Sequence, residues 1–121
     1  MMKKTEPAAV PLPRKDRPNV LPLEGEIDLH VSSNVTAALQ TMIEKKPNQV
    51  VVDLARVSYI DSSGLAALIE GMQNVQEYGG KFALASLQEP VRTIFEIARL
   101  DQVFRIFPDV NAALTATKAS R

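Results

Sequence analysis

Between residues 20 and 28 the chain alternates, with Leu21, Leu23, Gly25 and Ile27 on one parity and Pro22, Glu24, Glu26 and Asp28 on the other. A period of two belongs to an extended strand with one face in a core and one in water. Pro22 offers no N–H to a ladder, which predicts an edge or near-edge position. The period then lengthens. Val35, Ala38, Leu39, Met42 and Ile43 recur at three- and four-residue intervals, as one face of a helix does. Ser32 or Ser33 is placed to cap that helix. Lys45-Lys46-Pro47-Asn48 ends it, since cations suit a helix C-terminus and proline cannot continue it.

Val50-Val51-Val52 marks Gln49 to Leu54 as a buried central strand, because β-branched side chains pack well on a pleated surface. Leu65, Leu68, Ile69, Met72 and Val75 return to helical spacing from Gly64 onward, and Gly79-Gly80 closes that helix. Lys81 to Ala85 reads as a third strand. Pro90 suits the first turn of a helix bearing Val91, Ile94, Phe95 and Ala98. Val103 to Phe107 is a short last strand, and Pro108 opens a terminal helix with Val110, Ala113, Leu114 and Thr117 on one face.

Strands alternating with helices of this length require crossover connections and a mainly parallel sheet. The predicted class is α/β: one domain over residues 19–117, with a mixed, mostly parallel sheet of four to five strands and about four helices. Residues 1–18 carry Pro7, Pro11, Pro13 and Pro18 among charged and small residues and read as a flexible tail. Residues 118–121 read as a frayed end.

At 121 residues the chain has room for one core. No apolar run approaches the roughly 20 residues of a membrane span, and residues 1–7 show no apolar stretch of a secretory signal. A cytoplasmic, membrane-free protein is the expectation. Cysteine is absent and His30 is the only histidine, which removes disulfides and thiolate metal sites. Formal charge is zero but uneven: five basic against two acidic residues give residues 1–17 a charge of +3, and the remainder carries −3. A slightly acidic body with six aromatics lacks the basic, aromatic-lined face of a nucleic-acid binder. Protein partners are expected.

The chemistry worth weighing lies in Tyr59-Ile60-Asp61-Ser62-Ser63-Gly64-Leu65, where a helix begins. Asp and Ser accept bonds from helix N-terminal amides, and the same amides with the helix dipole tolerate an added phosphate. The stretch is an ordinary cap or a modification site. Nucleophilic catalysis by Ser62 or Ser63 needs a base, and His30, just past a strand end, is the one imidazole. No Gly-x-Ser-x-Gly elbow accompanies it, and no catalytic residue is assigned. Neither phosphate-loop pattern is present, so no cofactor is expected. Asp28, Asp53 and Asp61 do not have calcium-loop spacing, and strand-end aspartates more commonly cap helices, so no metal is assigned. Ser62 remains as a phosphate acceptor at the carboxyl edge of the sheet, where α/β folds bind partners. By residues alone, capping is the stronger reading.

The run Asp53-Leu54-Ala55-Arg56-Val57-Ser58-Tyr59-Ile60-Asp61-Ser62-Ser63-Gly64-Leu65 resembles the signature of the STAS domain as found in bacterial anti-sigma factor antagonists. Leu23-Glu24-Gly25-Glu26-Ile27-Asp28 is similar to that family's Leu-x-Gly-Glu-Leu-Asp strand. Gly79-Gly80, the Pro90 to Leu100 helix and the strand through Phe104 and Ile106 fall where the family has them. The resemblance covers about residues 19–117.

It implies phosphorylation of Ser62 by a partner that is both serine kinase and anti-sigma factor. The unmodified chain would bind that partner and free a sigma factor; the phospho-form would let go, and a serine phosphatase would reset it. Asp28 and Asp61 would flank the acceptor, Ser63 would cap the helix, and Gly64 and Leu65 would begin the contact helix. The alternative is a non-switching STAS subunit of a transporter or signalling scaffold. A monomer or weak homodimer is expected. The family also begins with a strand ahead of Leu-x-Gly-Glu-Leu-Asp, where this chain has Pro7, Pro11 and Pro13. The apolar Ala8, Ala9, Val10 and Leu12 lead to the expectation of a short, irregular first strand.

Overall fold

The structure, a computed structural model, describes residues 10, 11 and 14–118. Four strands and four helices alternate along it. They are β1 (Val20–Ile27), α1 (Ser32–Ile43), β2 (Gln49–Ile60), α2 (Ser62–Glu77), β3 (Lys81–Ala85), α3 (Glu89–Ile97), β4 (Arg105–Phe107) and α4 (Val110–Lys118), with a 3₁₀ turn at Leu100–Gln102 before β4. The sheet order is β1-β2-β3-β4 and every pairing is parallel. The predicted α/β class therefore holds, with four parallel strands among the described residues where a mixed sheet of four to five was expected.

Period-two alternation on the central strand explains why both faces are covered. Val50 and Val52 join Leu21, Leu23, Val35, Leu39, Leu68, Met72, Val91 and Phe95 in the larger core, so α1, α2 and α3 share one face. Val51 turns the other way and packs with Val20, Ala83, Ala85, Val110 and Ala113, beneath α4. Strands buried on both sides are near-continuous apolar runs, as the valine block is.

Among the described residues β1 lies at the edge of the sheet, in keeping with Pro22. The Val51 N–H donates to the Asn19 carbonyl at 3.0 Å. Backbone alternation then turns the Pro22 nitrogen away from β2, where its missing N–H costs no ladder bond. The β1–β2 register shifts between Pro22 and Glu24 and again between Gly25 and Glu26. Gly25 sits there at φ +84°, a left-handed conformation that a side chain resists.

Three boundaries differ from the sequence expectation. β2 continues six residues past Leu54 to Ile60, and carries the start of α2 well beyond the end of β3. The last strand spans Arg105–Phe107 only, because Val103 belongs to the turn after Leu100–Gln102. α4 begins at Val110 and takes its cap from Asp109, whose Oδ1 accepts the Ala112 N–H at 2.7 Å, so Pro108 lies outside the helix.

Of the segment read as a tail, residues 14–18 lie in hydrogen-bonded turns that lead into β1. The Arg17 guanidinium donates to Asn111 Oδ1 at 2.8 Å, which joins that segment to α4. The expected first strand falls largely on residues 5–9, 12 and 13, outside the described residues. Val10, Pro11, Arg14 and Lys15 are not in a strand.

Candidate functional site

Asp61 is the hinge of the site. Its N–H donates to the Ile27 carbonyl at 3.1 Å, so the end of β1 fixes where β2 stops and α2 starts. Its backbone is extended, as an N-cap residue requires, and its carboxylate turns back onto the helix. Oδ1 accepts the Ser63 N–H at 2.9 Å, the Gly64 N–H at 3.1 Å and the Ser63 hydroxyl at 2.6 Å. The Ser63 hydroxyl does most to hold the Asp61 carboxyl below its ordinary value of 3.8. The backbone N–H groups of Gly64, Ser63 and Leu29 act in the same direction, and desolvation opposes them.

The cap expected from Ser63 is therefore made by Asp61, with Ser63 as a donor to it. A carboxylate is the better acceptor for two amides at the positive end of a helix dipole, and its charge strengthens each bond. Gly64 is buried. A Cβ there would stand 2.7 Å from Ile60 Cγ1 and 2.9 Å from both Ile27 Cγ2 and the Ile27 carbonyl oxygen. Its contribution is close packing of α2 on the ends of β1 and β2, rather than a surface contact. Leu65 is half-buried and packs against the main core.

Ser62 occupies the first position of α2 and is exposed. No hydrogen bond among the described residues engages its hydroxyl. Two adjacent serines thus have opposite fates. Ser63 is half-buried and bonded; Ser62 is open and uncommitted.

Asp28 follows Ile27, which pairs with Ile60, so its loop lies beside the start of α2. Its carboxylate is spent locally: Oδ1 accepts the His30 N–H at 3.0 Å and lies 3.8 Å from His30 Nδ1. This turn leads into α1, whose N-cap is Val31 with no side-chain cap bond. Ser32 and Ser33 do not cap it. The Asp28 carbonyl accepts the N–H groups of Val31 and Ser32 instead, at 3.0 and 2.9 Å.

His30 is exposed, and no hydrogen bond among the described residues links it to either serine. The arrangement is not a Ser-His-Asp triad, since the serine that touches an aspartate is Ser63 and no imidazole reaches it. Asp53 bonds the Ala55 N–H at 3.0 Å, eight extended residues from Asp61, or about 26 Å. Among the described residues no cluster of three or more acidic or histidine side chains could hold a metal ion. No helix among them is long and apolar enough to cross a membrane.

Two large apolar side chains that sequence periodicity did not single out are exposed near the ends of β1 and β2. Leu29, in the β1–α1 loop, is 74% exposed, and Tyr59, near the end of β2, is 46% exposed. Leu29 continues the odd-numbered apolar parity of β1 past the strand end, which was the available signal. A solvent-facing serine thus stands at the helix start, with a carboxylate cap beneath it.

Comparison with known proteins places the chain in a family. The chain matches the STAS domain over residues 9–113, and it belongs to that family. It is 28% identical over 102 residues to the anti-sigma-F factor antagonist RsfB of Mycobacterium tuberculosis, covering 84% of this chain and 83% of that protein. The crystal structure of an anti-sigma factor antagonist from Mycobacterium paratuberculosis superposes with a TM-score of 0.74 at 27% identity, covering 82% of this chain and 84% of the other. The Bacillus cell fate determinant SpoIIAA, solved in its phosphorylated form, shares the fold at a TM-score of 0.67 and 23% identity, covering 89% and 98%.

Proposed function

We propose that this chain is an anti-sigma factor antagonist that works by partner switching, with Ser62 as its phosphorylated residue. The observation that carries the reading is the contrast within one dipeptide: Ser62 is exposed and unbonded, while Ser63 is tied to Asp61 at 2.6 Å. A kinase requires an acceptor hydroxyl it can reach and orient, and Ser62 meets that condition. The relatives named as anti-sigma factor antagonists support the choice of partner.

In this account the unmodified chain binds an anti-sigma factor that is also a serine kinase, and a sigma factor is released. Ser62 Oγ takes the γ-phosphoryl group of ATP; the bond to the β-phosphate oxygen breaks, ADP leaves and the hydroxyl proton is lost. The product carries a charge of roughly −1.5 to −2. Held within a contact surface beside nucleotide phosphates, that charge weakens the complex. A serine phosphatase restores the hydroxyl. The chain itself acts by binding, in the cytoplasm, with no catalytic step of its own, and Asp28, Leu29 and Leu65 border the contact.

The test is incubation with the cognate kinase and ATP, followed by peptide mapping. Modification on Ser62 alone, lost in Ser62→Ala, is expected. A phosphate on Ser63, or on no residue, contradicts the assignment.

A further inference from the structure

At the start of β1 the main core reaches the edge of the sheet and opens. Among the described residues no strand flanks β1 on its outer side, and Leu21 shares one core there with Ala38 and Met42 of α1. Beside them lies a groove of about 580 Å³, within the roughly 300–1,000 Å³ of small-molecule sites. Val10, Pro18, Leu21, Ala38, Met42 and Pro47 supply its apolar lining.

The polar lining is sparse and of one kind. Thr41 stands in the last turn of α1 and Lys45 just past its end, and both are exposed. Asn19 is the other polar residue, and its side-chain N–H already donates to the Gln49 carbonyl at 3.1 Å. No acidic side chain lines this groove, and among the described residues no carboxylate pairs with Lys45. Other grooves of the described chain differ: Glu44 and Glu77 line one between α1 and α2, and Glu26 and Asp28 line one beside the β1–α1 loop.

An apolar trough with one uncommitted ammonium beside a hydroxyl selects an amphiphile with an anionic head. The tail removes the trough from water, while the Lys45 ammonium and the Thr41 hydroxyl donate to a carboxylate. A sugar or nucleotide would leave its own polar groups unpaired against the apolar wall. Met42 is unbranched and flexible, so it adapts to the tail it meets. The negative end of the α1 dipole lies nearby, which makes the Lys45 charge necessary for an anion to settle there.

We propose that this groove binds a free medium-chain fatty acid, with its tail against Leu21, Ala38 and Met42 and its carboxylate on Lys45 and Thr41. The site lies at the amino end of β1. Ser62 follows the opposite end of the sheet, about 20 Å away along the six extended residues from Leu21 to Ile27. The proposal is therefore independent of the reading of Ser62.

The test titrates decanoate into the full chain, at concentrations where it does not self-associate, and follows amide and methyl spectra by NMR. Saturable one-site shifts confined to the groove, the Leu21 and Met42 methyls included, are expected with a dissociation constant below about 1 mM. Acetate, which is the head alone, should shift nothing. Ala38→Leu, which fills the trough, should abolish binding. Lys45→Gln should weaken it at least about threefold, and Lys45→Arg should restore it.

Absence of saturable shifts in the full chain overturns the proposal. So does equal affinity of the parent and Lys45→Gln, a variant of an exposed residue that should fold even where Ala38→Leu does not. Groove shifts that follow protein concentration without decanoate would give the groove to a second copy of the chain. Overhauser contacts from the Leu21 and Met42 methyls to residues 1–9, undisturbed by decanoate, would give it to the chain's own N-terminal segment. Either result also overturns the proposal.

Discussion

Gly64 and Ile27 meet so closely that a single methyl group on Gly64 would stand 2.9 Å from both the Ile27 Cγ2 and its carbonyl oxygen. This approach seats the first turn of α2 on the end of β1 and sets the height at which Ser62 faces solvent. Part of what the methyl meets is backbone, which cannot swing aside. Gly64→Ala is expected to destabilise the fold by about 1–3 kcal/mol, the usual range for overpacking. Urea unfolding of the two chains measures it, and an unchanged midpoint would show that α2 shifts freely on the sheet.

Asp61 gives the fold an acid-side signature. Its carboxyl lies below the ordinary 3.8 in the folded chain, chiefly through the Ser63 hydroxyl, so its contribution is present above that value. The contribution is lost as pH falls through the lower folded value, since the unfolded chain takes up the proton first. Removing the charge with Asp61→Asn should lower stability at pH 7. The gap between the two chains should narrow below about pH 4. Thermal unfolding across pH 2.5 to 7 reads this, and a gap independent of pH would contradict the carboxylate lock.

Leu29 tests whether the exposed apolar rim belongs to the contact. With 74% of its surface in water, Leu29→Ala should change stability by less than about 0.5 kcal/mol. An interface side chain that carries binding energy costs more than about 1 kcal/mol when truncated, so a Leu29 covered by the partner should lower affinity at least about fivefold on truncation. Calorimetric titration of the kinase partner into both chains measures the difference; equal affinities would place Leu29 outside the contact.

The order of strands and helices was legible because each element carried its own period, and Pro22 pointed to an edge or near-edge strand before any pairing was known. The end of β2 was not legible. From Asp53 to Ile60 the buried positions are Leu54, Val57 and Ile60, a spacing of three produced where two register shifts twist β1 against β2. A strand with that spacing does not alternate, so periodicity cannot see it.

At the site, the Asp-Ser-Ser-Gly sequence singled out Ser62, but residue preferences left Asp61 and Ser63 as competing caps. Geometry separates them, because only the residue in extended backbone before the first helical turn can fold its side chain over two amides. Ser32 and Ser33 were read as caps for α1 on the same preferences, and the Asp28 turn filled that place through its backbone instead.

The account turns on Ser62, and one titration addresses it most directly. The kinase partner, isolated without ATP as a complex with the unmodified chain, is titrated with that chain and with the chain carrying phosphoserine at position 62. The phospho-chain is expected to bind at least about tenfold more weakly, a loss of about 1.4 kcal/mol, while its unfolding midpoint stays where it was. Equal affinity of the two chains would contradict the account.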